Sequence, residues 1–103
     1  MTWSVEAFPA ATKFIRKLPE SVNSRVVAHI DLLEKYGPNL RVPVVKKIAK
    51  NLFELRLVGQ DSIRLLYCSY RGGFYILNAF RKKSQKIPGK EIKLAVDRMK
   101  LLI

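Results

Sequence analysis

Residues 52–83 read LFELRLVGQDSIRLLYCSYRGGFYILNAFRKK, three apolar runs that each carry cations. Side chains alternate between the two faces of a strand. In the first run Phe53, Leu55 and Leu57 then share one face, while Glu54 and Arg56 share the other. In the second, Ile63, Leu65 and Tyr67 oppose Arg64, Leu66 and Cys68. In the third, Tyr75, Leu77 and Ala79 oppose Phe74, Ile76, Asn78 and Phe80, with Lys82 following in that parity. If the runs pair, one sheet face packs a core. The other gathers Arg56, Arg64 and Lys82 around a little apolar surface, an arrangement suited to a polyanion.

The elements around this stretch follow from breakers and periodicity. Met1 to Phe8 alternates as a short strand. Pro9 permits a helix to start, and Ala11, Phe14, Ile15 and Leu18 recur on one helical face before Pro19 ends it. Glu20 to Tyr36 carries a second stripe of Val22, Val26, Ile30 and Leu33, with Val27 beside it. Gly37-Pro38 is a helix stop. The connection Asn39 to Asn51 contains Pro43 and the cluster Lys46, Lys47 and Lys50. Gly59 to Asp61 and Arg71-Gly72-Gly73 are expected to turn the chain between strands, giving an antiparallel meander. After Pro88-Gly89, a helix over Lys90 to Leu102 buries Ile92, Ala95, Val96, Met99 and Leu102. The expectation is one α+β domain over residues 1–103, in the order β-α-α-β-β-β-α. Its antiparallel sheet packs on an N-terminal helical hairpin and carries a C-terminal helix.

The chain has 103 residues, 49% of them hydrophobic, and a formal net charge of +12. That length supports a single core. The charge is uneven: residues 1–40 contribute +1 and residues 41–103 contribute +11. A basic face with aromatics is the electrostatic footprint of a nucleic-acid binder, with an anionic membrane or an acidic protein as the alternative partners. No apolar run approaches the ~18 residues of a membrane span, and the first residues lack a signal-peptide pattern. Cys68 is the one cysteine, so a reducing cytoplasm is expected and a small strand residue is its expected role.

The residue inventory removes several chemistries. One histidine, His29, and one cysteine supply no metal-ligand spacing, and no cofactor is expected. His29 reads as a helix-flank residue, which leaves no base for a Ser-His-Asp triad. No glycine-rich phosphate loop precedes a helix. The basic set remains, either as a binding face or as a metal-free RNA-cleaving site. Guanidinium and ammonium groups can stabilise a phosphorane, and a crowded lysine can act as an acid or base. Glu54, in the same parity as Arg56, either holds that arginine or serves as general base. Lys46, Lys47 and Lys50 are candidate phosphate contacts. Phe80 is either a base-stacking ring or a core residue.

These residues also resemble a known family. Leu52-Phe53-Glu54-Leu55-Arg56, then Ile63-Arg64-Leu65-Leu66-Tyr67, then Phe80-Arg81-Lys82-Lys83-Ser84-Gln85-Lys86-Ile87-Pro88 look like the RelE/ParE toxin superfamily. Within it, the pattern is most similar to the HigB-like branch, also called phage-derived Gp49-like. The resemblance implies the RelE-like microbial RNase fold and the toxin of a bacterial type II toxin–antitoxin pair. It implies metal-independent, ribosome-dependent mRNA cleavage by 2′-OH attack, leaving a 2′,3′-cyclic phosphate. Carried over, Arg56, Arg64 and Lys82 match the family's basic positions, with Arg81 and Lys83 flanking and Glu54 a further catalytic candidate. Lys46, Lys47, Lys50, Phe80 and Lys86 become candidate contacts to mRNA and ribosomal RNA. The late Tyr or His of other members has no counterpart, because Ile87-Pro88 occupies that region and no Tyr follows Tyr75. The implied partners are a small helix-turn-helix antitoxin, the ribosome and mRNA, with operator DNA reached only through the antitoxin. On the same fold, ParE-like gyrase inhibition or non-catalytic RNA binding are the alternatives.

Overall fold

Prolines and one glycine set the first boundaries in the computed structural model, which describes residues 2–41, 43–57 and 62–102. Phe8 is extended and Pro9 opens helix α1 (Pro9–Arg16), where the missing N–H costs nothing because it had no intrahelical partner. Pro19 caps α2 (Glu20–Tyr36). Asn23 on α2 donates through Nδ2 to the Ile15 carbonyl at 2.9 Å, joining the two helices. Gly37 stops α2 with φ 51° and ψ −125°, a conformation that side-chain-bearing residues avoid. A Cβ at this position would lie 2.5 Å from the Trp3 ring, so the close packing of Trp3 also demands glycine. A 3-10 turn over Gly37–Asn39 follows.

The sheet has five strands: β1 (Val5–Ala7), β2 (Val45–Ala49), β3 (Leu52–Arg56), β4 (Ile63–Tyr70) and β5 (Gly73–Arg81). They run in the order β1-β5-β4-β3-β2. β1 lies parallel to β5, and the other pairs are antiparallel. Between β4 and β5, Arg71 and Gly72 have φ of 48° and 76°, the positive pair that a two-residue hairpin turn matching strand twist requires. The expected turn over Gly59–Asp61 lies outside the described residues.

β2 corrects the expectation of a plain connection over Asn39–Asn51. Only Val45 in it is buried, Ile48 is half-buried, and Lys46 and Lys47 are exposed. Lysines on an edge strand keep other chains from pairing with it, and the same lysines make it read as a loop. The three-strand meander is therefore extended at one edge by β2.

A bulge in β5 overturns the simple alternation. Leu66 pairs with Asn78 but Tyr67 pairs with Ile76, so Leu77 is an extra residue. Tyr75, Leu77, Asn78 and Phe80 consequently share one face, and Phe74, Ile76 and Ala79 share the other. Unbroken period-2 alternation groups Tyr75 and Leu77 with Ala79, and the bulge separates them. Bulges bend a strand and leave ladder groups unpaired. Here the Leu77 carbonyl accepts a hydrogen bond from Arg98 Nη1 at 2.7 Å.

Both sheet faces carry helices. Against α1 and α2 pack Leu55, Ile63, Leu65, Tyr67 and Ile76, with Ala11, Ile15, Val26 and Leu33 from the helices. Helix α3 (Gly89–Leu101) covers Leu52, Leu66, Cys68, Leu77 and Phe80 on the second face, using Ala95, Ile92, Val96 and Met99. The second face is thus a second core over much of its area. Burial pushes the Cys68 thiol up, consistent with an inert packing residue.

Two outcomes test this packing. Gly37→Ala should cost roughly 1–3 kcal/mol through the forced φ, seen as a lower melting temperature and altered fluorescence of Trp3, the one tryptophan. Burial pushes the Tyr67 phenol from 10.0 up to about 12. The folded state therefore holds this proton longer than the unfolded chain, and the associated stability is present below pH ~10 and lost as pH rises through about 12. Absorbance titration at alkaline pH should show Tyr67 ionising late, together with unfolding.

Candidate functional site

β3 and β4 bring two like charges face to face. Arg56 is directly opposite Arg64 in the register, a pairing that is unfavourable by itself. Glu54, two residues before Arg56 on the same strand face, resolves it. Its Oε1 lies 3.3 Å from Arg56 Nε, and its Oε2 lies 3.2 Å from Arg64 Nε. The carboxylate is 1% exposed, against 31% for the Arg56 side chain and 15% for Arg64. Arg64 also donates from Nη1 to the Ile63 carbonyl at 2.9 Å. Of the two roles weighed for Glu54, this geometry supports the holding role, since both oxygens face guanidinium groups away from solvent.

Beside this cluster lies a cavity of about 300 Å³. Lys46 and Lys47 of β2, Arg56 of β3, and Lys82 and Lys86 beyond β5 line it, with Glu54 at its base. Lys46 comes to the site because β2 pairs it with Glu54. Lys82 is placed by its backbone N–H, which donates to the Ser62 carbonyl at 2.7 Å and prolongs the β4–β5 pairing. Five cations around so small a space favour a ligand with several anionic oxygens, which arginine grips as a fork and lysine as a point charge. Another cavity, about 230 Å³ and lined by Trp3, Pro38, Leu40, Phe53 and Tyr67 among others, has no charged side chain among the described residues of its wall.

Of the expected site residues, the fold gathers Glu54, Arg56, Lys82, Lys46, Lys47 and Lys86. Arg64 stands behind Glu54, outside the cavity lining among the described residues, with its Nε 3.2 Å from Oε2 of that carboxylate. Arg81 pairs with Ile63 and is exposed, in the parity of Ala79 and so on the other side of the sheet from Lys82. Lys83 and Lys50 are exposed and outside the wall. Phe80 is 6% exposed beneath α3, so its ring packs the second core. His29 Nδ1 lies 2.8 Å from the Arg25 carbonyl within α2, as a helix-flank residue would.

Sequence reasoning missed the groups that tie α3 to the site. Asn78, 3% exposed, donates from Nδ2 to the Glu91 carbonyl at 3.2 Å and to Glu91 Oε1 at 3.0 Å. The next residue, Ile92, lines the cavity. The available signal was an asparagine inside the apolar run Ile76-Leu77-Asn78-Ala79-Phe80, because buried polar groups need partners. Gln85, also in the wall, gave no comparable signal.

Glu54→Gln keeps the shape but removes the charge between two guanidinium groups. It should cost roughly 1–3 kcal/mol, the range for a buried polar group losing its partner, whereas Lys46→Ala should stay within ~0.5 kcal/mol. Urea denaturation compares the two. If Glu54→Gln leaves stability unchanged, the carboxylate does not hold the arginines.

The comparisons with known proteins agree with this architecture. The sequence profile described as "Phage derived protein Gp49-like" matches residues 13–100. A mutant of Escherichia coli toxin RelE in the free state is 16% identical, with a TM-score of 0.73 over 96% of this chain and 99% of that one. The archaeal RelE–RelB complex from Pyrococcus horikoshii OT3 gives 22% identity and a TM-score of 0.63, covering 84% of this chain and 100% of that chain. The toxin–antitoxin complex RelBE2 from Mycobacterium tuberculosis gives 20% and 0.60, covering 80% and 100%. A search of curated proteins finds no match. The fold is that of the RelE toxins, and the profile covers most of the sequence; the chain belongs to the phage-derived Gp49-like family.

Proposed function

We propose that this protein is the toxin of a type II toxin–antitoxin pair and acts as a ribosome-dependent mRNA endonuclease. The observation that carries this reading is the cavity in which Arg56, anchored by a buried carboxylate, faces Lys82 and three further lysines. In the proposed reaction the RNA 2′-hydroxyl gives up its proton to water as its oxygen attacks the adjacent phosphorus. The bond from phosphorus to the 5′-oxygen breaks, leaving a 2′,3′-cyclic phosphate and a 5′-hydroxyl. Arg56 would neutralise the phosphorane, and Lys82 would stabilise or protonate the leaving oxygen. Such preorganised charge is often the largest single contribution to catalysis. Lys46, Lys47 and Lys86 would hold flanking phosphates of mRNA or ribosomal RNA.

The fold matches bear on the partner. Two of the similar structures are toxin–antitoxin or RelE–RelB complexes. By analogy this chain, with its +12 charge, would be neutralised by an acidic or mixed antitoxin, since complementary charge speeds association. Among the described residues, no helix is long and apolar enough to cross a membrane. The ribosome as substrate platform places the proposed activity in the cytoplasm.

Primer extension on ribosome-bound mRNA tests the reaction. Wild type should cut in the ribosomal A site in the presence of EDTA, and Arg56→Ala or Lys82→Ala should lower the rate roughly 10²–10³-fold, the range for one lost transition-state contact. Growth arrest without any mRNA cut, accompanied by loss of gyrase supercoiling, would establish the ParE-like alternative instead. Binding to single-stranded RNA through about five cations should weaken about 10²-fold between 50 and 200 mM salt. A flat salt response excludes the polyanion.

A further inference from the structure

The cationic cavity has a wall that phosphate chemistry does not use. Ile48 from β2, Ile87 from the segment before α3, and Ile92 from α3 line the same space as Arg56 and Lys82. All three are half-buried and packed on the second core, so their alkyl surface is held in place. Phosphate oxygens gain from N–H donors and from water, not from alkyl groups, so a site for phosphate alone needs no such wall. Gln85 stands in the same lining. Ser84 Oγ donates to the Lys86 carbonyl at 2.9 Å, closing the short turn that carries Gln85. An uncharged amide, with one acceptor and one two-proton donor, suits the hydrogen-bonding edge of a heterocycle better than a phosphate. The volume of about 300 Å³ falls at the small end of ligand sites.

Resting on the nuclease reading, we propose that this cavity is a single-nucleotide subsite of the RNA. The base lies flat against Ile48, Ile87 and Ile92, Gln85 reads its edge, and its phosphate rests on Arg56 and Lys82. Apolar side chains hold an unstacked base by its faces in other sites where a protein takes a base from the strand. Gln85 is thereby a specificity-determining residue, and the isoleucines supply affinity without discrimination.

Binding measurements test the subsite without reference to cleavage. A short single-stranded RNA and a ribose-phosphate chain of the same length lacking all bases are titrated onto the wild-type protein. The base-bearing RNA should bind roughly 5-fold tighter or more, the scale of burying one base face against alkyl groups, and should shift the isoleucine methyl resonances of Ile48, Ile87 and Ile92. Gln85→Ala should level the affinities for oligo(A), oligo(C) and oligo(U) while leaving the abasic chain unaffected. Equal affinity for RNA and abasic chain, unshifted isoleucine methyls, or no binding of either chain overturns the subsite. A wild type that shows no preference among the three oligomers overturns the role of Gln85. Failure of the nuclease reading is distinct: base-dependent binding persists, but ribosome-bound mRNA is left uncut.

Discussion

The burial of the Glu54 carboxylate between Arg56 and Arg64 is the constraint on which the site depends. Two guanidinium groups opposite each other on neighbouring strands repel, and a carboxylate 1% exposed would be costly alone. Together the three groups balance one another's charge. The consequence is directional: Arg64 is drawn inward, and Arg56 keeps 31% of its side chain exposed on the cavity wall. One arginine serves the fold and the other faces the cavity. A cation fixed this way needs little reorganisation when charge develops beside it, which is what electrostatic catalysis requires.

The bulge at Leu77 has a comparable role on the other side of the cavity. It turns Asn78 toward α3 and releases the Leu77 carbonyl, and both groups are taken up by α3, through Glu91 and Arg98. Arg98 also lies 5.6 Å from the centre of the Phe8 ring, a cation–π contact that ties the helix to the start of α1. The helix is therefore fixed at both ends to the sheet it covers. Because Ile92 follows Glu91 in α3, the register of this attachment also sets the apolar wall of the cavity.

Cations and alkyl groups meet at this place because the sheet is only partly covered on its second face. α3 packs over Leu66, Cys68, Leu77 and Phe80, while the β3 and β2 side retains Arg56, Lys46 and Lys47. The edge of a core, where hydrophobic packing stops and charge begins, supplies both a dry wall and a wet one. That is the composition a nucleotide presents in its base and phosphate.

The sequence by itself determined the helices, the β4–β5 hairpin and the convergence of Arg56 and Lys82. Proline, glycine and apolar periodicity act locally, and two charges at known parity on paired strands must share a face. The motif order in residues 52–88 also determined the family, because the residues that carry it are contiguous in the chain. Only the tertiary structure decided the rest. β2 was illegible because an exposed edge strand has the composition of a loop. The parity of Tyr75 and Leu77 depended on one extra residue opposite β4, a feature of strand pairing that no single strand reveals. Phe80 became a core residue because α3, thirteen residues long, folds back over it. Arg64 and Arg56 look alike in the sequence, and only the depth at which Glu54 is buried separates the arginine that holds from the arginine that reaches out.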